Sequence, residues 1–319
     1  MKRKSCLAVA AFLAAGFTQA DAFAAQFSYG DVFASVNNGQ VRHYGADGTL
    51  LETLNTGVGG LTTGLGFDPG GNLYVSNHTN GSITRFSADE VHSASQFGVN
   101  LSIKKPEGII FDNSGNLWVG SGCCGDIKKL DSNGNNVFSL NTGRRADWIQ
   151  LNQDESKIYY SEDVHNGIKT IDIATGAHET PLSSRYGFAQ FQLLPDGGII
   201  AAHKGTVKKL DSLGRLVASY DVAGVDKWFA LDLDTDIESF WAGSYQNDTL
   251  YRFDIATGTV LQTIDTGLGG EHLYGVAVYT GGQPQLASLN TKVPEPATMS
   301  LLALTATGLF FSRRRSRNS

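Results

Sequence analysis

Three residues of this 319-residue sequence combine side-chain types that bind divalent cations: Glu107, Asp147 and His272. Each directly precedes a short apolar stretch with β-strand character, and the three stretches belong to one repeated pattern. If the repeats surround an axis, the three side chains converge on it. Two carboxylates and an imidazole form a ligand set that Ca²⁺ or Mg²⁺ accepts. The pattern is also compatible with solvated loop residues that cap a channel, so both interpretations stay open.

A second chemical feature is the adjacent pair Cys123 and Cys124, which is flanked by glycines. The third cysteine, Cys6, falls in the N-terminal segment 1–24, which we predict to be removed. In an oxidising compartment neighbouring thiols can close a vicinal disulfide, which would form a rigid apolar knob. The alternative is two free thiols. We expect the disulfide because exposed free thiols are a liability outside the cell.

Two of the four tryptophans, Trp148 and Trp228, lie next to the expected mouth of a central channel. An exposed indole ring offers a large, rigid surface on which the apolar face of a sugar can stack. Aromatic residues beside strands also commonly fill the core between neighbouring sheets. Trp148 and Trp228 are therefore candidate stacking residues, with a core role as the alternative.

These candidates are positioned by a repeat that runs through the middle of the chain. Its unit is an apolar residue, two variable residues, a second apolar residue and a polar turn. Successive copies start 42, 44, 41, 39 and 43 residues apart, and such periods with β patterning are typical of propeller blades. We predict an all-β fold, a six-bladed β-propeller of four-stranded blades, with five or seven blades if a weak copy is misplaced. The copies occupy residues 41–44, 83–86, 127–130, 168–171, 207–210 and 250–253.

A second motif, strand–turn–strand, alternates with the first and indicates how the propeller closes. It is clearest at 66–75 and 110–119, where Asp-Pro-Gly-Gly and Asp-Asn-Ser-Gly supply short turns. The last copy, at 275–278, keeps only its first strand, while three unmatched strands stand at the start of the domain within 31–55. We therefore predict that the two chain ends pair to complete the sixth blade, which removes the open sheet edges.

In a propeller, the loops between blades share one face with the loops between the second and third strands, around the channel mouth. We therefore expect functional side chains among these loop residues. The candidates from the loops between blades are Thr63, Glu107, Asp147, Gln190, Lys227, Glu271 and His272. The candidates from the loops within blades are His78, Cys123, Cys124, Glu162, Asp163, His165, His203 and Tyr245.

Roughly residues 30–280 resemble the six-bladed propellers of the NHL-repeat, gluconolactonase and virginiamycin B lyase group. The resemblance is carried by Pro-Glu-Gly-Ile-Ile-Phe-Asp at 106–112 and Gly-Asn-Leu-Trp-Val at 115–119. It implies the fold. For function it implies either the acidic, Asn-containing metal site of the lactonases or the magnesium site and histidine catalysis of the lyases. The match is partial, because no set of Asn residues stands at the strand starts and only His272 lies beside an innermost strand.

The N-terminus has the three parts of a secretory signal peptide. Basic residues at 2–4 precede an apolar stretch at 7–17, and Ala-Phe-Ala at 22–24 is a cleavage site, with 18–20 as a second candidate. The alternative is an uncleaved membrane anchor. The apolar stretch is shorter than the roughly 20 residues that a spanning helix needs, which favours a cleaved signal peptide at 1–24.

The C-terminus carries a second targeting element. Its residues are Pro294, Glu295 and Pro296, an apolar stretch at 297–311, and then Arg313, Arg314 and Arg315. This order resembles the PEP-CTERM sorting signal of Gram-negative bacteria. The resemblance implies an exosortase-type processing enzyme as partner, transient anchoring of a transmembrane tail helix in the inner membrane, and delivery to the envelope or extracellular matrix. The predicted domains are a signal peptide at 1–24, a propeller at 25–284, a linker at 285–293 and the sorting tail at 294–319.

Net charge excludes one class of partner. Removing the seven basic and two acidic residues of the two ends leaves 18 basic and 29 acidic residues, a net charge of −11. Such a domain lacks the basic face that a phosphate backbone needs, which excludes nucleic acid. Two classes of function remain. One is a non-enzymatic module that binds a glycan, such as exopolysaccharide, or a surface protein, and the sorting tail favours it. The other is a metal-dependent lactonase or lyase that acts at the channel mouth.

Overall fold

The structure is a computed structural model that describes residues 24–98, 101–162, 167–179 and 187–282. Within these residues the regular structure is entirely β, with 23 strands in six separate sheets. The predicted all-β, six-bladed propeller is confirmed. No helix in the described part of the chain has the length and apolar character needed to cross a membrane. The predicted signal peptide and tail helix lie outside the described residues.

Strands β1 to β23 are numbered along the chain, and each blade corresponds to one sheet. Blade 1 consists of β4 (Thr62–Phe67), β5 (Leu73–Asn77), β6 (Ser82–Phe86) and β7 (Ala94–Phe97). Blade 2 consists of β8 (Pro106–Phe111), β9 (Leu117–Ser121), β10 (Asp126–Leu130) and β11 (Asn136–Asn141). Blade 3, in its described part, consists of β12 (Ile149–Leu151), β13 (Lys157–Ser161) and β14 (Ile168–Asp172).

The remaining blades have four strands each. Blade 4 consists of β15 (Phe191–Leu193), β16 (Ile199–Ala202), β17 (Val207–Leu210) and β18 (Leu216–Tyr220). Blade 5 consists of β19 (Trp228–Leu233), β20 (Ser239–Ser244), β21 (Thr249–Asp254) and β22 (Val260–Asp265). Blade 6 consists of β23 (Leu273–Val278), β1 (Val32–Val36), β2 (Gln40–Tyr44) and β3 (Leu50–Asn55).

Blade 6 joins the two ends of the domain, as the unmatched strands predict. Its innermost strand β23 runs antiparallel to β1, with Val32 opposite Val278. Beyond the strands, the Gly30 N–H donates to the Tyr279 carbonyl at 2.9 Å, and the Tyr279 N–H donates to the Asp31 carbonyl at 2.8 Å. The chain therefore enters and leaves the propeller at one place, on the face that carries the turns between first and second strands.

The core lies between neighbouring blades, and burial follows from that position. The second strands β1, β5, β9 and β20 are buried at every residue, because each has a neighbouring blade on both faces. The outermost strands, such as β3 and β22, are mainly exposed. The apolar residues of the second strands therefore fix how neighbouring blades pack, and the loops at the strand ends lie outside this packing.

In blade 2, a carboxylate in the turn between the first and second strands holds three parts of the blade together. In blade 2, Asp112 accepts the Asn116 N–H at 2.8 Å and the Trp118 Nε1–H at 3.2 Å. The Lys129 ammonium of the third strand lies 2.8 Å from the same carboxylate. The turn, the second strand and the third strand are thus held by one acid–base pair.

Candidate functional site

The innermost strands of four blades share a β-bulge near the channel mouth. The bulges lie after Thr62 in β4, after Pro106 in β8, after Trp228 in β19, and at Tyr274 in β23. A bulge places an extra residue in one strand and re-aims its side chain. The bulged residues are Thr63, Glu107, Phe229 and Tyr274. In blades 3 and 4, Asp147 and Gln190 hold the corresponding place just before the strand.

We call these six residues the mouth ring: Thr63, Glu107, Asp147, Gln190, Phe229 and Tyr274. Backbone contacts between neighbouring blades fix their order around the axis. The Gly108 N–H donates to the Asp147 carbonyl at 2.6 Å, and the Gln190 N–H donates to the Phe229 carbonyl at 3.2 Å. Going around the axis, the two acidic members are neighbours, and the two aromatic members lie on the opposite side.

Glycine follows three of the ring residues because the innermost strands approach one another closely. A Cβ at Gly64 would overlap the Glu107 carbonyl oxygen, and one at Gly275 would overlap the Thr63 carbonyl oxygen. These contacts are with backbone, which cannot move aside without displacing a strand. The pattern of a ring residue followed by Gly is therefore a sequence mark of the mouth ring.

The floor of the mouth is closed by a side-chain amide. The Gln190 Nε2 donates to the Val276 carbonyl at 3.2 Å, and the Leu231 N–H donates to the Gln190 Oε1 at 2.9 Å. Gln190 therefore links blade 4 to blades 5 and 6. We call the mouth ring, together with the loop residues next to it, the bowl.

The acidic side of the bowl is organised by Arg145. Glu107 is 3% exposed and Asp147 is fully buried. The Arg145 Nε donates to the Asp147 Oδ1 at 2.8 Å, and its Nη2 lies 3.9 Å from the Glu107 Oε2. A guanidinium thus stands between the two carboxylates that the sequence proposes as metal ligands. Sequence reasoning missed Arg145, because a basic residue in a loop carries no signal of its own.

His272 does not complete this group. Its Nδ1 lies 3.0 Å from the Asp248 carboxylate, which also accepts the backbone N–H groups of Gly270 and Leu273 at 2.8 and 3.0 Å. Asp248 thereby shapes the loop before β23 and holds the imidazole in it. Among the described residues, no group of three or more His, Cys, Asp or Glu side chains is placed to hold a metal ion. Within the described residues, Glu107, Asp147 and His272 therefore do not come together as the predicted three-ligand group, and a Ca²⁺ or Mg²⁺ site at the mouth stays a prediction.

The aromatic side of the bowl consists of Phe229, Tyr274 and Tyr245, all half-buried. The Phe229 ring centroid lies 6.3 Å from that of Tyr274 and 6.4 Å from that of Tyr245. Burial, together with the neighbouring Tyr245, raises the pKa of Tyr274 well above its usual value, so its hydroxyl keeps its proton. That hydroxyl donates to the Glu271 carbonyl at 3.1 Å.

The predicted stacking residues are core residues instead. Trp148 is 4% and Trp228 is 2% exposed, and both pack into the core of blades 4 and 5. The half-exposed aromatic residue is Phe229, one position after Trp228. Successive side chains of a strand point to opposite sides, and the bulge adds an extra residue at this point. A residue one position away from a core residue therefore faces the bowl.

Cys123 and Cys124 form a vicinal disulfide in the structure. Their loop is held by Ser121, whose Oγ donates to the Lys104 carbonyl at 2.8 Å. Cys124 is exposed and Cys123 is half-buried. A Cβ at Gly122 would overlap the Glu107 carboxylate, so the loop lies directly against the acidic side of the bowl. The redox state of the pair in the cell stays a prediction.

Two further loop histidines belong to this face. Burial lowers the pKa of His78, and the positive charges of Lys105 and Arg145 lower it further. Burial, with Lys208 and Lys204, lowers the pKa of His203 in the same way. Both imidazoles are therefore neutral at pH 7. The other predicted loop residues Asp163 and His165, and the sorting residues Pro294, Glu295, Pro296, Arg313, Arg314 and Arg315, lie outside the described residues.

Comparison with known proteins gives one sequence match and many fold matches. Residues 292–315 match the PEP-CTERM protein-sorting motif. This motif indicates an exported chain that is anchored transiently and processed by an exosortase-type enzyme. None of the curated proteins compared with the sequence matches it.

Three solved structures illustrate the fold. A chain from a nidogen/laminin complex has a TM-score of 0.65 at 15% identity, over 80% of this chain and 99% of that chain. A protein of unknown function from Bacteroides caccae has a TM-score of 0.62 at 12% identity, over 78% of this chain and 98% of that chain. A catalytically inactive virginiamycin B lyase from Staphylococcus aureus, with quinupristin, has a TM-score of 0.55 at 11% identity, over 76% of this chain and 86% of that chain. At these identities the likeness shows the propeller fold alone.

Proposed function

We propose that the protein is an exported envelope or extracellular-matrix component whose propeller binds a neutral glycan in the mouth ring, without catalysis. The observation that carries this proposal is the two-sided bowl. Phe229 and Tyr274 stand on one side, and the partly exposed Arg145, held by the buried Asp147 and close to Glu107, stands on the other. A pyranose ring has a C–H face that packs on aromatic rings and a rim of hydroxyls that bond to charged and amide groups.

The balance of charges around the mouth supports a neutral ligand. Two pairs of opposite charges lie around it. Lys169 pairs with Glu162, and the Lys227 Nζ lies 3.1 Å from the Glu271 carboxylate. A strongly anionic or cationic ligand would have to displace one of these partners, whereas hydroxyls can share them. The closed floor and the rigid disulfide loop favour a small, preformed site.

The alternative, a metal-dependent lactonase or lyase, requires a metal site, and among the described residues Glu107, Asp147 and His272 do not come together to form one. Arg145 supplies the positive charge beside Glu107 and Asp147, and His272 is bound to Asp248. Stoichiometric Ca²⁺ or Mg²⁺ in the purified protein, lost in Glu107→Gln together with lactone turnover, would favour the enzyme over the binding module.

The proposal predicts that Phe229→Ala weakens glycan binding about tenfold, because an aromatic contact contributes about 1 kcal/mol beyond its buried area. The measurement is a screen of neutral oligosaccharides, including cellobiose, maltose and N-acetylglucosamine trimers, followed by calorimetric titration of the ligand that binds. The matched control is Phe138→Ala, which removes an exposed ring on the outermost strand β11. Equal affinity in the wild type and Phe229→Ala would contradict the mouth ring as the binding site.

A further inference from the structure

A cleft with a volume of about 560 Å³ opens between blades 1 and 2, at the ends of the strands that point away from the mouth ring. Its floor is formed by Tyr74, Phe97 and Phe111. The Tyr74 ring makes edge-to-face contacts with the other two, at centroid distances of 4.8 and 4.9 Å. Ligand pockets in proteins typically have volumes of about 300–1,000 Å³, with an apolar lining and a few polar groups. The volume of the cleft falls in that range, and its lining combines three aromatic rings with a larger share of polar groups than such pockets usually have.

Arg85, on the wall of this cleft, occupies a position at which other blades carry a paired cation. It lies on the third strand, where blade 2 has Lys129 and blade 5 has Arg252. The Lys129 Nζ lies 2.8 Å from the Asp112 carboxylate, and the Arg252 Nε lies 2.5 Å from the Asp234 carboxylate. In both blades the cation of the third strand forms a salt bridge to the carboxylate of the turn in the same blade.

Blade 1 has an aspartate in the corresponding turn, Asp68, but its carboxylate is bound by a tyrosine and an asparagine and not by the cation of the third strand. The Tyr74 hydroxyl donates to the Asp68 Oδ2 at 3.1 Å, and the Asn72 side-chain amide donates to the same oxygen at 2.7 Å. Burial and the Asp68 charge raise the pKa of Tyr74 well above its usual value, against a lowering by the neighbouring Arg85, so the hydroxyl remains a donor and Arg85 lies next to it. Among the carboxylates of the described residues, none lies within the 4 Å of a salt bridge from the Arg85 guanidinium.

We propose that this cleft is a binding site for one uronic-acid residue, with the sugar carboxylate held by the Arg85 guanidinium. A planar guanidinium binds a carboxylate through two parallel hydrogen bonds. Hydroxyl and amide groups on the rim, from Ser95, Gln96, Ser114 and Asn133, meet the sugar hydroxyls, and the C–H face lies toward Phe97.

The charge of the cleft selects a single carboxylate over a phosphate. Asp68 lines the same wall as Arg85, so the site has one anion beside one cation that forms no salt bridge among the described residues. A phosphate dianion would be repelled by Asp68, whereas a ligand with one negative charge can face Arg85 and turn its hydroxyls toward the acid. The site is separate from the mouth ring and does not depend on the function proposed for it.

The test is titration of the purified protein with D-glucuronate and D-galacturonate, with binding measured by ligand-observed NMR or by calorimetry. D-Glucose, acetate and inorganic phosphate are the comparison probes. We expect a uronate to bind at least tenfold more tightly than each comparison probe. The Arg85→Gln variant should lose at least tenfold in uronate affinity, and Arg85→Lys should be intermediate because the charge remains without the planar fork.

Two variants keep the result interpretable. Lys209→Gln is the matched control, because Lys209 holds the same third-strand position in blade 4, makes no salt bridge among the described residues, and lies outside the cleft. Ser114→Trp fills the rim from an exposed turn and should abolish uronate binding even if Arg85→Gln does not fold. The inference is overturned if uronate binds no better than glucose or phosphate, or binds Arg85→Gln and Ser114→Trp unchanged. Phe229→Ala should leave uronate binding intact.

Discussion

Blades 5 and 6 are fastened at the same strand position by cations of different kinds. In blade 5 the half-exposed Arg252 reaches Asp234 and lies 2.8 Å from Asp236. In blade 6 the corresponding residue is His43, which is 0% exposed and lies between Asp31 at 2.8 Å and Glu52 at 2.9 Å. Blade 5 is one continuous stretch of chain, whereas blade 6 joins the two ends. The titratable cation therefore lies where the ring is closed.

The surroundings of His43 extend this difference. The Phe33 ring stacks on His43 at a centroid distance of 4.3 Å, and Phe27 stacks on His92 at 4.0 Å. The His92 Nε2 lies 2.9 Å from the Ala25 carbonyl and 3.3 Å from Glu52. Residues before β1 are thus held against blade 1 by the same network. Closing the ring uses buried polar contacts, while in blade 5 the cation and one of its two carboxylates are partly exposed.

The largest effect is expected from His43→Ala, which removes the centre of the blade 6 network. Asp31, nearly fully buried, would lose its cationic partner, and breaking a buried pair in this way costs about 3–5 kcal/mol. The free energy of unfolding, measured by urea titration, should fall by that amount. The control His178→Ala, at an exposed histidine whose Nδ1 lies 3.3 Å from the Tyr160 hydroxyl, should change it by no more than about 1 kcal/mol, the usual net contribution of one neutral hydrogen bond. A loss below about 1 kcal/mol for His43→Ala would show that the network does not hold the blade.

A smaller effect is expected from Arg252→Gln in blade 5. Arg252 is partly exposed, so water compensates for part of the lost charged hydrogen bonds, and we expect a loss of about 1–2 kcal/mol. The same urea titration measures it. If this variant loses as much stability as His43→Ala, the two blades do not differ in how they are fastened.

The smallest effect is the dependence of stability on pH, which we expect to arise at blade 6. Burial alone lowers the pKa of His43, but hydrogen bonds and negative charges from Asp31 and Glu52 outweigh it and raise the pKa above its usual value. The stabilisation by protonated His43 is complete below the unfolded pKa of about 6.5. It is lost as the pH rises through the higher folded pKa.

Melting temperatures recorded from pH 6 to pH 9 would test this expectation. The groups that face His43 and bear on the result are Asp31, Glu52 and His92. Arg252→Gln should retain the slope of the wild type, because arginine does not titrate in this range. His43→Gln should flatten it. An unchanged slope in His43→Gln would assign the pH dependence to another group.

The fold could be predicted from the sequence because the repeat is long and regular. The segments that begin at Ile83, Ile127 and Leu250 all fall in third strands, and the pairing of β23 with β1 follows from the missing strands. Burial between blades imposes this pattern on every copy, so even weak copies keep their place. Apolar spacing is therefore a sufficient signal for the architecture.

The mouth ring could be predicted only in part. The sequence correctly predicts four of its members, Thr63, Glu107, Asp147 and Gln190. In blades 5 and 6 the predicted residues, Lys227 and His272, stand two positions before the ring residues Phe229 and Tyr274. Strand spacing does not mark a bulge, because its position depends on how closely neighbouring blades approach. The glycines after Thr63, Glu107 and Tyr274 record that approach, and aligning them would have located the ring in blades 1, 2 and 6.

The pairing of Val32 with Val278 has a consequence for the order of events during folding. A chain that emerges N-terminus first forms β1, β2 and β3 early, but the inner edge of β1 has no partner until β23 appears. Contacts between such distant segments form slowly, and an unpaired edge is prone to aggregation in the meantime. The strand made first is therefore among the last to be covered, and the ring is complete only when the segment leading into the sorting tail has arrived.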